Sequence, residues 1–134
     1  MSRDLVLVVE DNEANQLLVT AVLELDGFEV RVAGSAVEAR EQLKGGRPSV
    51  ILMDVQLPGE DGLSLTRELK NDPATASIPV VALTAHAMSG DRALAIRAGC
   101  SGYIAKPIDT RTFGAEVRRF MNGSIRDDRP MVAP

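Results

Sequence analysis

The sequence predicts an α/β fold: one (βα)5 unit whose doubly wound parallel sheet runs in strand order 2-1-3-4-5. Three observations carry that expectation. Five short β-type segments alternate strictly with five helical ones, a pattern that gives a parallel sheet with right-handed crossovers. Segments one, three and four are apolar throughout, as strands covered by helices on both faces are. The second segment alternates and the fifth is short, which places them at the two edges.

The first strand is Leu5-Val-Leu-Val-Val9, and Ala14, Leu17, Leu18, Ala21, Val22 and Leu25 follow it at helical spacing. The second strand, Phe28-Glu-Val-Arg-Val32, sets Phe28, Val30 and Val32 on one face and Glu29 and Arg31 on the other. Ser35 with Glu38 reads as a capping box opening a helix through Ala36, Ala39 and Leu43. Val50-Ile-Leu-Met53 is the third strand, and Leu65 and Leu69 mark the helix after it. Val80-Val-Ala-Leu83 is the fourth. Leu94 and Ala98 mark its helix, with Gly99 as the C-terminal cap. Gly102-Tyr-Ile-Ala105 is the fifth strand. Phe113, Val117, Phe120 and Met121 mark the last helix, with Asp109 a candidate N-cap.

Composition bounds the function classes. A chain of 134 residues favours one domain, and a domain of that size buries roughly two-thirds of the surface its unfolded chain exposes. We place the domain at residues 1–123 and read 124–134 as a frayed tail. Three Phe, one Tyr and no Trp leave the core to aliphatic side chains. A net charge of −4 without a basic stripe argues against direct nucleic-acid binding. The single cysteine, Cys100, excludes an internal disulfide framework and reads as a small buried side chain. No stretch has the ~20 apolar residues of a membrane span, and a cytoplasmic protein is expected.

The chemistry lies where the strands give out. Strand one runs into Glu10 and Asp11, strand three into Asp54, strand four into Thr84, and strand five into Lys106-Pro107. In a parallel sheet every carboxyl end points the same way, so three carboxylates, a hydroxyl and an ammonium converge on one rim. Carboxylates that close repel one another, and a divalent cation offsets the repulsion. Hard oxygen donors suit Mg²⁺, whereas one histidine, His86, and one distant cysteine do not make a zinc site. With a metal beside it, Asp54 can act as a nucleophile and form an acyl phosphate. Asp11, with Glu10 direct or through water, would hold the metal, and Lys106 would neutralise further charge. His86 reads as exposed and outside the chemistry. Glu60 and Asp61 read as solvated loop charges.

Val9-Glu-Asp-Asn12, Leu52-Met-Asp-Val-Gln-Leu-Pro58, Ala82-Leu-Thr-Ala85 and Ile104-Ala-Lys-Pro107 together resemble response-regulator receiver domains, the phospho-accepting half of two-component signalling. The resemblance covers about residues 4 to 122 and implies a flavodoxin-like sheet. It implies that Asp54 is the phosphorylation site, with Thr84 and Lys106 serving the transfer. Glu10, Asp11, Asp54 and the Gln56 backbone carbonyl become the ligands of Mg²⁺. Thr84 and Tyr103 become the switch pair, and the Lys106–Pro107 bond becomes cis. The implied partners are a histidine kinase or histidine phosphotransfer protein and a downstream protein target, met through the face of helix 4, strand 5 and helix 5. The chain would be a monomer or weak homodimer and not itself an enzyme.

Finer motifs, Glu10-Asp-Asn12, Asp54-Val-Gln-Leu-Pro58 and Leu83-Thr-Ala-His-Ala-Met88, are similar to stand-alone regulators of the DivK type. One departure is that Gly59 and Glu60 precede Asp61-Gly62 where the family often carries a hydrophobic residue. A receiver excised from a hybrid histidine kinase is the alternative, and Met1 directly before the fold favours the stand-alone form. A Mg²⁺-dependent phosphohydrolase is a distant third, because no second acid stands two residues after Asp54 and no insertion is large enough for a cap. A flavodoxin-like cofactor binder lacks aromatics to stack a flavin.

Overall fold

The computed structural model describes residues 4–57, 59–85 and 89–121; His86 and the tail expected over 124–134 lie outside these. Its elements alternate as β1 (Leu5–Val9), α1 (Glu13–Leu25), β2 (Glu29–Ala33), α2 (Ala36–Lys44), β3 (Val50–Asp54), α3 (Gly62–Lys70), β4 (Val80–Thr84), α4 (Ser89–Ala98), β5 (Gly102–Ala105) and α5 (Phe113–Met121). All four pairings are parallel, in the order β2-β1-β3-β4-β5.

Alternate strand residues feed two cores. Leu7, Val9, Ile51, Met53, Val80 and Ala82 pack under α2, α3 and α4. Val6, Val8, Leu52, Val81, Leu83 and Ile104 pack under α1 and α5, joined by Phe28 and Phe113. Because β1, β3 and β4 are covered on both faces, their sequences carry no polar alternation.

Helix boundaries follow local chemistry. Asn12 caps α1 by accepting from the Asn15 N–H, Ser35 accepts from the Glu38 N–H, and Glu38 reaches back to the Gly34 N–H at 2.6 Å. Gly99 ends α4 at φ +109°; its N–H bonds to the Ile96 carbonyl and that of Cys100 to the Ala95 carbonyl, a Schellman closure. Cys100 is buried.

Four expectations are corrected. The second strand starts at Glu29 and ends at Ala33; Phe28 is a core residue on the preceding turn. On α1 the inward residues are Val19 and Leu23 with Val22 beside them, while Leu17 and Leu25 are 72% and 90% exposed. A run of apolar residues on every side of that helix hid its inward face. On α4 the inward residues are Ala95 and Ala98, and Leu94 is exposed. α5 begins at Phe113: the Asp109 side chain accepts from the Arg111 N–H and the Asp109 carbonyl from Phe113, so Asp109 caps the turn that leads into the helix.

Candidate functional site

The rim at the strands' carboxyl ends gathers the predicted residues. β1 ends against β3, with Val9 beside Met53, so Glu10 and Asp54 emerge next to each other. β3 and β4 pair Asp54 with Leu83, which sets Thr84 one residue further along the same rim. The Lys106 N–H donates to the Thr84 carbonyl at 2.8 Å and carries Lys106 in from β5; the Lys106–Pro107 peptide is cis.

Carboxylate oxygens of Glu10, Asp11 and Asp54 lie within 4.8 Å of one another. Glu10 is 1% and Asp54 5% exposed, whereas Asp11 faces solvent. Lys106 bridges the two buried acids, its Nζ standing 2.8 Å from Glu10 Oε1 and 3.4 Å from Asp54 Oδ2. Glu10 Oε2 accepts from the Asn12 N–H, and Asp54 Oδ1 accepts from the Gln56 N–H at 3.0 Å.

One cation does not balance this cluster. Burial works to raise the Glu10 pKa, but the Lys106 ammonium and the Asn12 N–H outweigh it and hold that carboxyl below its usual range. Asp54 takes the remaining cost. Burial first, then the neighbouring Glu10 charge, push it up to about 6, against the pull of the Gln56 N–H and Lys106. Lys106 is raised: burial opposes its charge, and the two carboxylates overcome that. The site therefore has an unmet need for positive charge and offers hard oxygen donors, a set that fits Mg²⁺.

A match to the family described as "Response regulator receiver domain" spans residues 6–118. The chain belongs to the response-regulator receiver family. It is 40% identical over 116 residues to the polar-differentiation response regulator DivK of Brucella anthropi, covering 87% of this chain and 94% of that protein. DivK of Brucella ovis matches equally. Among solved structures, the receiver domain of the sensor histidine kinase PA1611 from Pseudomonas aeruginosa superposes with a TM-score of 0.82 at 34% identity, covering 90% of this chain and 99% of that one. That structure carries a magnesium ion coordinated in its active-site cleft. CheY4 of Vibrio cholerae, at 24% identity and a TM-score of 0.83 over 89% of this chain and 99% of that one, shares the flavodoxin-like receiver fold.

Within this receiver frame, Tyr103 lies half-buried on β5, two residues before Ala105, the partner of Thr84 in the sheet. The Arg92 guanidinium sits 5.4 Å from its ring centroid. Gln56 is exposed, its backbone joined to Asp54 as described. Two residues read as solvated loop charges have fixed partners, Asp61 while staying exposed and Glu60 while partly buried. Asp61 is the N-cap of α3, accepting from the Leu63 and Ser64 N–H groups, and Glu60 is paired with Arg40 of α2. The Asp-Gly-Leu-Ser run carried the capping signal; the Arg40 pairing spans twenty residues and has no local signature.

Proposed function

We propose that Asp54 is the phosphoacceptor of a Mg²⁺-dependent phosphorelay switch. The observation that supports this best is the buried Asp54 carboxylate, with one oxygen on the Gln56 N–H, the other facing Lys106, and two further acids beside it. Glu10, Asp11, Asp54 and the Gln56 carbonyl would hold Mg²⁺, which supplies charge neutralisation for the transferring phosphoryl group.

The chain's own residues do the rest. Asp54 attacks the phosphorus of a phosphohistidine on a kinase or phosphotransfer protein; the P–N bond breaks as the P–O bond forms. Lys106 is already held at the rim by Glu10 and moves its charge onto a phosphoryl oxygen. The Thr84 hydroxyl, at the end of β4, donates to another. Drawing Thr84 toward the phosphoryl group opens space beside β5, and Tyr103 turns inward, leaving Arg92. A groove of about 370 Å³ lined by Arg92, Tyr103, Pro107, Glu116, Arg119 and Phe120 then changes shape for a downstream protein. The protein is thus a signalling relay rather than a turnover enzyme, working in the cytoplasm as a monomer or weak homodimer. Among the described residues no helix is long and apolar enough to cross a membrane.

The test is labelling with a small phosphodonor such as acetyl phosphate. Wild type takes up one phosphoryl group when Mg²⁺ is present, and Asp54→Asn takes up none. Label retained on another residue of the Asp54→Asn variant refutes the assignment.

A further inference from the structure

The loop that joins β3 to α3 carries Gln56, whose N–H touches Asp54, and it is closed at its base by a bond from the Gly62 N–H to the Val55 carbonyl at 3.0 Å. Gly62 also fixes the close approach of α3 to β3: a Cβ there would collide with the Asp54 carbonyl oxygen. The outer part of the loop is held from a third element. Arg40 of α2 donates from Nη2 to both oxygens of Glu60, at 3.0 and 2.8 Å. The same guanidinium donates from Nε and Nη2 to Glu68 of α3, at 2.8 and 2.6 Å. Two carboxylates raise the Arg40 pKa and Arg40 lowers that of Glu68, as a shared fork does. All three side chains keep between a third and a half of their surface.

We propose that Arg40 is a positioning residue for the phosphoacceptor site: seated on α3 through Glu68, it clasps Glu60 and so holds the β3–α3 loop with its Gln56 N–H on the Asp54 carboxylate, among the residues that would hold Mg²⁺. This rests on the proposed function above. The clasp ties the site to α2, an element that contributes none of the rim residues. It also explains why a charged residue stands at position 60. An exposed, salt-screened tether is weak enough to open when a partner docks or when the loop rearranges.

The experiment compares Arg40→Gln, Glu60→Gln and the double variant. Mg²⁺ affinity is read from the Gln56 amide shift on titration, and loop rigidity from Gln56 amide hydrogen exchange in metal-free protein, with the Val8 and Val9 amides reporting that the sheet is intact. Each single change is expected to weaken Mg²⁺ binding by about threefold and to speed Gln56 exchange by a similar factor, the size that a partly exposed ion pair allows. The double variant is expected to be no worse than either single. Raising NaCl to high concentration brings wild type toward the variants. A simple field effect predicts opposite signs instead, with Arg40→Gln tightening Mg²⁺ and Glu60→Gln weakening it. That pattern, additive losses, or unchanged Gln56 exchange would overturn the clasp. The exchange measurement needs neither metal nor phosphate, so its outcome stands apart from that of Asp54 labelling.

Discussion

Asp54→Asn, the variant that tests the proposed phosphorylation, is also expected to stabilise the metal-free protein. Ionised Asp54 is buried beside Glu10, and its pKa rises from 3.8 to about 6. Each tenfold rise in proton affinity corresponds to about 1.36 kcal/mol, so ionising Asp54 in the folded state costs at most about 3 kcal/mol at neutral pH. Asn keeps the acceptor for the Gln56 N–H but sets an amide against Lys106 Nζ, which brings the expected gain to about 1–3 kcal/mol. The sign with pH follows. A group whose folded pKa is raised contributes stability below its unfolded pKa and loses it as pH climbs through the folded value. Wild type therefore falls relative to Asp54→Asn between about pH 4 and 7, and at pH 5 the gap is about half its neutral value. Urea denaturation in EDTA at both pH values reads it. Adding Mg²⁺ narrows the gap, because a cation that binds the folded wild type stabilises it by mass action. An Asp54→Asn protein no more stable than wild type in EDTA at neutral pH would refute the premise that this carboxylate is uncompensated.

Two further outcomes are expected. Gly62→Ala pushes a methyl group into the Asp54 carbonyl and should cost about 1–3 kcal/mol in urea denaturation while displacing the Asp54 amide resonance; a neutral substitution would mean that α3 moves freely on β3. Cys100 is buried and, chiefly through that burial, its thiol is pushed up to about 11, so at pH 8 a thiol-specific reagent should label it only after denaturation, at a rate set by opening of the fold; fast labelling of native protein would contradict its packing against Thr66.

The sheet was legible because burial writes itself into composition. β1, β3 and β4 need apolar residues on both faces, and an alternating edge strand and a short one leave few orders for five parallel strands. Parallel topology then brings Glu10, Asp54, Thr84 and Lys106 to one rim, since a strand's carboxyl end is a matter of chain direction. Caps that act over three residues, such as Ser35 on Glu38, were equally readable.

What sequence could not decide depends on distances between residues far apart in the chain. The inward face of α1 was ambiguous, because Leu17, Leu18, Val19, Leu23 and Leu25 satisfy more than one helical stripe and only the neighbouring β-sheet and α5 choose among them. The division of charge at the rim, with Glu10 paired to Lys106 at 2.8 Å and Asp54 left to carry the raised pKa, follows from the burial of Asp54 beside Glu10, which only the packed fold creates. The Arg40 clasp on Glu60 and Glu68 joins residues that only packing of α2 against α3 makes neighbours. Chain direction and the hydrophobic pattern thus fixed which side chains gather at the rim, because both are properties of local sequence. Which of them pair, and which are left in need of a partner, was settled by packing, because electrostatic energies turn on separations that no spacing along the chain encodes.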